Sequence, residues 1–451
     1  MLRQVFAKSA GILIFLMLML LGLGGCGSDS PSQFTYSVSE ESFPQTHPDE
    51  VAGQMLALGA DKMVLSNSLG GYATYYEAQQ ALGDGNVTSL LDLWWKLYNV
   101  YRDSLKYWVV PLKVTFHRAP GAKDETGLVV YPIALHKLPL LALQHPTQTE
   151  RRFSPSKRRL DDNQLTFQYA MLLASMGYIV VAPDYPGMGD NYETHPYCLR
   201  SLGSSVAALV KATRERRGSL MDGRIVLMGF SEGGYATVAG AAELQQNHPD
   251  LKVTAVTPLD GPHSLSDTMR SVMKSAGREF SAPYFLPYVI AGYGAAYPDI
   301  PALVFKTAII STPSTFADQL QQMLGGDNSG GEISSFMRTA PDYNGPITVT
   351  SDVFKAALNT EGSLLNNALL ANNSYQGWSP APSFKFFHLN DDDLVPVENT
   401  KNAMAAWKNL ANVNVMYFDE AIPYLGSKHA GALIPAYIYG TNWLNSIINP
   451  Y

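Results

Sequence analysis

From about residue 110 the chain alternates short apolar runs with longer amphipathic stretches. Leu112 to Phe116 and Gly127 to Tyr131 predict a hairpin pair, and Leu138 to Leu143 a short buried strand. Leu165 to Met176 predicts a helix closed by Gly177, and Tyr178 to Ala182 a strand ending at Pro183-Asp184. Arg200 to Arg216 reads as a helix, Arg224 to Met228 as a strand, Glu232 to Gln246 as a helix rich in small residues, and Val253 to Val256 as another strand. Phe384 to Phe387 and Val413 to Phe418 are late strands, each followed by helical sequence. Short β runs alternating with helices imply an α/β fold: a mostly parallel sheet with helices on both faces.

Two stretches depart from this rhythm. Residues 45–109 are helical in character, as in Val51 to Met63 and Ser89 to Tyr107, with an aromatic patch at Trp94 and Trp95 that reads as core packing. Residues 262–380 are rich in Ser, Pro, Gly, Asn and Tyr, with an irregular helical pattern. An insertion between two core strands predicts a largely helical cap over a site. The core then comprises 110–261 and 381–451.

The N-terminus has a different pattern again. Arg3 and Lys8 form a short basic region, Ala10 to Leu23 is almost unbroken apolar sequence, and Gly24, Gly25 and Cys26 follow. The run is short for a membrane span, which needs about 20 residues, and predicts an export signal over 1–25. Leu23-Gly24-Gly25-Cys26 resembles a bacterial lipobox, which implies cleavage before Cys26, lipid on its thiol and a membrane partner through that lipid. Gly27 is not the Asp that resembles an inner-membrane retention signal, so the outer membrane or cell surface is the expected location. Residues 26–44 then read as a flexible tether.

Composition adds exclusions. With 46% apolar and 16% charged residues, the 451-residue chain has ample material for a large core. A net charge of −7 without a basic cluster argues against nucleic acid as a partner. There are two cysteines, and with Cys26 lipidated, Cys198 has no partner and reads as a buried apolar residue. No metal-ligand spacing and no phosphate-cradling glycine loop occurs, so no metal or cofactor is expected.

The chemistry centres on Gly229-Phe230-Ser231-Glu232-Gly233, preceded by a strand and followed by a helix. A serine held in so tight a strand-to-helix turn needs small residues two before and two after it, and Gly229 and Gly233 supply them. Ser231 is therefore the candidate nucleophile, and the Glu232 N–H directly after it a candidate oxyanion donor. A serine needs a general base, and in this arrangement an acid and then a histidine follow it along the chain. Of nine histidines, His263, His388 and His429 lie beyond 262, and only His429 follows the late acidic cluster. It is expected in a loop before the closing helix. The acid belongs to Asp391-Asp392-Asp393, delivered by an apolar strand. Residue type alone does not choose among the three, and Asp260 is a rival; Asp419 reads as a turn cap.

These segments resemble secreted lipases and esterases of the α/β-hydrolase superfamily, including the secretory-lipase-like group, over roughly 110–260 and 380–445. Relatives carry His-Gly-x-x-Asp-x-x-Val-Pro, matched here from His388 to Pro396 with Leu389 in place of the glycine, and the match implies Asp392 as the acid. Ala182-Pro183-Asp184-Tyr185-Pro186-Gly187 and His195-Pro196-Tyr197 resemble the segment before the nucleophile; His195 is expected to be structural or pocket-lining, and Asp184 to order a turn. His145-Pro146-Thr147 resembles the family's His-Gly-Thr, which implies Thr147 N–H as the second oxyanion donor, since Pro146 has no N–H. The expectation is a serine carboxylic-ester hydrolase acting on a small-molecule or lipid ester through Ser231, Asp392 and His429. The alternatives are a prolyl-oligopeptidase-like amidase with the same triad and a non-catalytic lipid-anchored binding protein on the same scaffold.

Overall fold

A computed structural model of the chain describes residues 39–42, 45–48, 101, 104–119, 121–157, 165–275, 282–301, 305, 315–421 and 427–449. The expected export signal, Cys26 and most of the expected tether lie outside them, as does most of the expected helical segment 45–109. Ser39–Ser42, within the stretch expected as tether, is an edge strand instead.

The strands are β1 (Ser39–Ser42), β2 (Val109–Phe116), β3 (Glu125–Pro132), β4 (Leu138–Gln144), β5 (Ile179–Pro183), β6 (Met221–Phe230), β7 (Val253–Leu259), β8 (Ser383–Leu389) and β9 (Val413–Phe418). They form one nine-stranded sheet in the order β1-β2-β3-β5-β4-β6-β7-β8-β9. The β1–β2, β2–β3 and β3–β5 pairs run antiparallel, and every pairing from β5 through β4 to β9 is parallel. The expected hairpin is the β2–β3 pair, in register from Val109 opposite Pro132 to Phe116 opposite Glu125.

Alternation along the strands decides the layering. Leu140 and Ala142 of β4 face a cluster with Val206 and Leu209 of α2 (Leu202–Arg217) and Val238 of α3 (Glu232–Asn247). Leu141 and Leu143 face the opposite side, with Phe167 and Leu172 of α1 (Leu165–Ser175) and Tyr437 and Leu444 of the closing helix Lys428–Ile448. Side chains two apart share a face, so one buried strand feeds two cores. Each fully buried aliphatic side chain contributes roughly 1.5–3 kcal/mol.

The chain winds outward from β4 in both directions. Ligands in such sheets sit beyond the carboxyl ends of the strands where the winding reverses, which here are the ends of β4 and β6. Between β7 and β8 the described residues form a π-type turn at Leu265–Met269 and helices α4 (Arg270–Ser275), α5 (Phe285–Ala296), α6 (Phe316–Met323), α7 (Gly330–Met337), α8 (Asp352–Asn359) and α9 (Leu364–Ala371). Polar residues that read only as irregular in sequence are helix starts: Thr315–Asp318 and Ser329–Glu332 make reciprocal capping boxes. After β8 come α10 (Glu398–Ala406), β9 and the closing helix, α11 (Lys428–Ile448).

Candidate active site

Ser231 lies between β6 and α3 with φ 59° and ψ −122°. A non-glycine residue rarely adopts positive φ, and the neighbouring contacts hold it there. The Ser231 N–H donates to Leu259 O of β7 at 2.8 Å, and its carbonyl accepts the Tyr235 N–H at 3.1 Å. The flanking glycines are required by close approach. A Cβ on Gly233 would stand 2.3 Å from Gln144 O and 2.8 Å from His145 O, and one on Gly229 would meet Gln144 Cβ and Gly233 O at 2.5 Å. The turn is thus pressed onto the end of β4.

His429 and Asp392 meet Ser231 in one line. The Ser231 hydroxyl donates to His429 Nε2 at 2.8 Å, and His429 Nδ1 donates to Asp392 Oδ2 at 2.6 Å. All three are buried. Asp392 Oδ1 accepts the N–H groups of Leu394 (2.9 Å) and Val395 (2.7 Å), so both carboxylate oxygens are engaged. Burial disfavours a charged His429, but Asp392 outweighs it and holds the imidazole above its ordinary value of 6.5. Burial likewise opposes ionised Asp392, and the facing His429 outweighs it, holding the carboxyl low.

One expectation is corrected here. His429 is not in a loop: it is the second residue of α11. The helix begins earlier than its sequence suggests because Ser427 accepts the Ala430 N–H and Asp393 accepts those of Lys428 (3.1 Å) and His429 (3.0 Å). The three adjacent aspartates point three ways: Asp391 pairs with the Lys428 ammonium, Asp392 with the His429 ring and Asp393 with the helix N-terminus.

The rival acids have other hydrogen-bond partners. Asp260 is fully buried; its Oδ1 accepts the Leu389 N–H at 2.7 Å, while Oδ2 has no hydrogen-bond partner among the described residues. Burial, then the nearby Asp392 charge, push its carboxyl well above the usual range, which disfavours its charged form. Asp419 accepts from the Asn390 side chain at 2.7 Å near the surface. Leu389 is not among the positive-φ residues, so its backbone conformation does not call for a glycine. His388 Nε2 donates to Val395 O at 2.8 Å and Nδ1 faces the Thr400 hydroxyl at 2.7 Å. Burial lowers that ring's proton affinity, and its hydrogen bond to Val395 O braces the turn that carries Asp392.

Two spaces meet at Ser231. One is an apolar cavity lined by residues of the insertion such as Leu265, Met273, Val289 and Leu369, with Cys198 and Val395. The other is a more open cleft bounded by Pro146, Thr147, Ser427, His429 and Leu433. Thr147 therefore borders the same space as His429, and its N–H has no acceptor among the described residues. Glu232 is the first residue of α3, where backbone N–H groups lack intrahelical acceptors.

The secretory lipase family matches residues 157–444, a span containing Ser231, Asp392 and His429. The chain belongs to the secretory lipase family. No curated protein matches it. Among solved structures, a Legionella pneumophila protein superposes with a TM-score of 0.67 at 20% identity, over 91% of this chain and 97% of its own. A ligand-bound form of the rice cell wall degrading esterase LipA from Xanthomonas oryzae gives 0.67 at 19% identity, over 93% and 99%. These likenesses carry the α/β-hydrolase fold, whose nine-stranded sheet is described above. Among the described residues, no helix is long and apolar enough to cross a membrane.

Sequence reasoning missed one part of the site. Behind Ser231, the Glu232 carboxylate accepts a hydrogen bond from His195 Nε2 at 2.7 Å, and His195 Nδ1 donates to Pro186 O at 2.9 Å. Both ring protons are used. Burial opposes a charged His195, but Glu232 outweighs it and raises its proton affinity. Glu232 as a polar residue amid glycines and His195 in the His-Pro-Tyr motif were the available signals; a separation of 37 positions hid the pairing. Asp184 does more than order a turn: buried, it accepts from the Ser156 N–H at 2.8 Å and the Thr126 hydroxyl at 2.6 Å, tying β3 and the β4–α1 connection together.

Proposed function

We propose that this secretory lipase family member is an exported serine carboxylic-ester hydrolase working through an acyl-enzyme. The observation that carries the reading is the Ser231–His429–Asp392 line, at 2.8 and 2.6 Å, opening onto both an apolar cavity and an open cleft. Ser231 Oγ attacks the ester carbonyl while His429 Nε2 takes its proton, and Asp392 stabilises the imidazolium. The N–H groups of Glu232 and Thr147 receive the oxyanion. His429 returns the proton to the alkoxy oxygen as that C–O bond breaks. Water, deprotonated by His429, then attacks the acyl-enzyme; the acid leaves and Ser231 Oγ regains its proton.

Proton delivery orients the substrate. The leaving oxygen must reach His429, so the alcohol lies in the cleft that His429 borders. The acyl chain then enters the apolar cavity, beneath residues 262–380 acting as a cap. The substrate class is an ester with an apolar acyl part. The N-terminal sequence supports lipid attachment at Cys26 and anchoring to a bacterial membrane; Cys26→Ser should abolish incorporation of labelled palmitate. For the reaction, Ser231→Ala should remove p-nitrophenyl ester hydrolysis from a protein with an unchanged thermal unfolding curve. Retained turnover would reject the assignment.

A further inference from the structure

We propose that the turn His195-Pro196-Tyr197 positions both halves of the oxyanion site, through Glu232 on one side and Thr147 on the other. This rests on the reading above, in which the N–H groups of Glu232 and Thr147 are the oxyanion donors. Those two residues follow different strands, β6 and β4, and two N–H vectors must converge on one oxygen.

The turn joins them. The Tyr197 N–H donates to His195 O at 2.9 Å, closing a three-residue turn around Pro196, whose ring fixes φ. From this base the His195 ring reaches Glu232 Oε1 at 2.7 Å, and the Tyr197 hydroxyl meets Thr147 Oγ1 at 3.2 Å. One rigid turn therefore holds the side chain of each donor residue. His195 is held in its own right by Pro186 O at 2.9 Å, and both rings are buried.

The turn is itself clamped by glycines on two sides. A Cβ on Gly187 would lie 2.8 Å from His195 N, and one on Gly292 of α5 would lie 2.8 Å from His195 O and 2.9 Å from Tyr197 N. Backbone packs on backbone at both contacts, which leaves the turn little room to shift. Pro146 makes the second arm necessary: it has no N–H, so the loop before Thr147 has one fewer backbone anchor. The Thr147 side chain, bonded to Tyr197, supplies an anchor that the backbone does not.

His195 and Tyr197 act through Glu232 and Thr147 and are positioning residues. Removing a donor outright costs on the order of 10²–10³ in kcat, and a misaligned donor less, about tenfold. The test is a cycle of Thr147→Val, Tyr197→Phe and the double variant with a p-nitrophenyl ester, beside Thr147→Ser, His195→Gln and Ser231→Ala. We expect kcat to fall about tenfold in each of the first two with KM nearly unchanged, and the double variant to fall no further. Thr147→Ser should restore most of kcat, and His195→Gln should slow acylation of Ser231 by a fluorophosphonate while the final labelling stays complete. Should Tyr197→Phe fail to fold, Thr147→Val reads the same contact from the other side. Additive losses, a rise in KM alone, or a Thr147→Ser variant as slow as Thr147→Val would overturn the proposal. Those outcomes beside an inactive Ser231→Ala leave the hydrolase reading standing; an active Ser231→Ala removes both.

Discussion

Asp393 accepts the backbone N–H of His429 at 3.0 Å, one residue along from the carboxylate that holds the same histidine's ring. Asp393 also takes the Lys428 N–H, so one carboxylate satisfies two of the donors that open α11. Negative charge at a helix N-terminus is favourable as well. Backbone and ring of His429 are therefore fixed by neighbouring residues of one loop. Asp393→Ala should cost about 1 kcal/mol of stability, as the loss of a helix cap does, and should lower kcat more than it raises KM. Chemical denaturation and steady-state kinetics on the same preparation check this; unchanged kcat would show that Asp392 alone orients the ring.

Asp392 and Asp260 are both buried acids beside His429, and their environments divide them. Asp392 has two N–H donors and the histidine; Asp260 has one N–H and a bare oxygen. Asp392→Asn should reduce kcat by on the order of 10⁴, the cost of losing the acid that sets a catalytic histidine's tautomer. Burial disfavours the charged form of Asp260, so the uncharged amide of Asp260→Asn should keep most of the activity. Its stability should differ with pH. A carboxyl whose folded value is raised binds its proton more tightly folded than unfolded, so it loses stability as pH rises above the unfolded value. Asn lacks that loss. Melting temperatures at pH 5 and pH 9 should therefore converge in Asp260→Asn relative to the parent; a large activity loss in this variant would make Asp260 the working acid.

The parts of this arrangement differ in how far sequence reveals them. Strand positions were legible because β4 and β6 bury both faces and so read as unbroken apolar runs between helices. The strained turn was legible because a Cβ at Gly233 would collide with Gln144 O, which leaves glycine as the residue that fits. Chain order singled out His429, but its place on a helix was hidden. The cap that starts the helix comes from Asp393, 36 residues away. Three consecutive aspartates are chemically alike, and only their directions in space separate an ion pair, a histidine partner and a helix cap. The His195–Glu232 pair was invisible for the same reason: each residue has an ordinary local explanation, and the contact is long-range.

The pH profile follows from the His429 environment. As general base the ring must be neutral, so kcat/KM falls as pH drops through its value. Asp392 outweighs burial and raises that value, which sets the acid limb above the ordinary 6.5. In Asp392→Asn the main raising influence is gone and burial remains, so the residual activity should show its limb at lower pH. Profiles of kcat/KM for the parent and Asp392→Asn measure the displacement; a limb at the same pH in both would mean that it belongs to another group.

The cavity beside Ser231 predicts chain-length selectivity. Its lining is apolar, so added methylenes are removed from water as the acyl chain lengthens. A buried methylene contributes about 0.8 kcal/mol, roughly fourfold in kcat/KM per carbon until the space is filled. Specificity constants should rise along the p-nitrophenyl series from acetate to octanoate. Val289 lines the cavity from α5, and Val289→Trp would occupy part of it. That variant should lose far more activity on octanoate than on acetate, because the short acyl group need not reach the added indole. Equal losses on both esters would place the acyl chain elsewhere, and the open cleft beside His429 would then have to hold it, with the alcohol in the cavity and farther from the proton it needs.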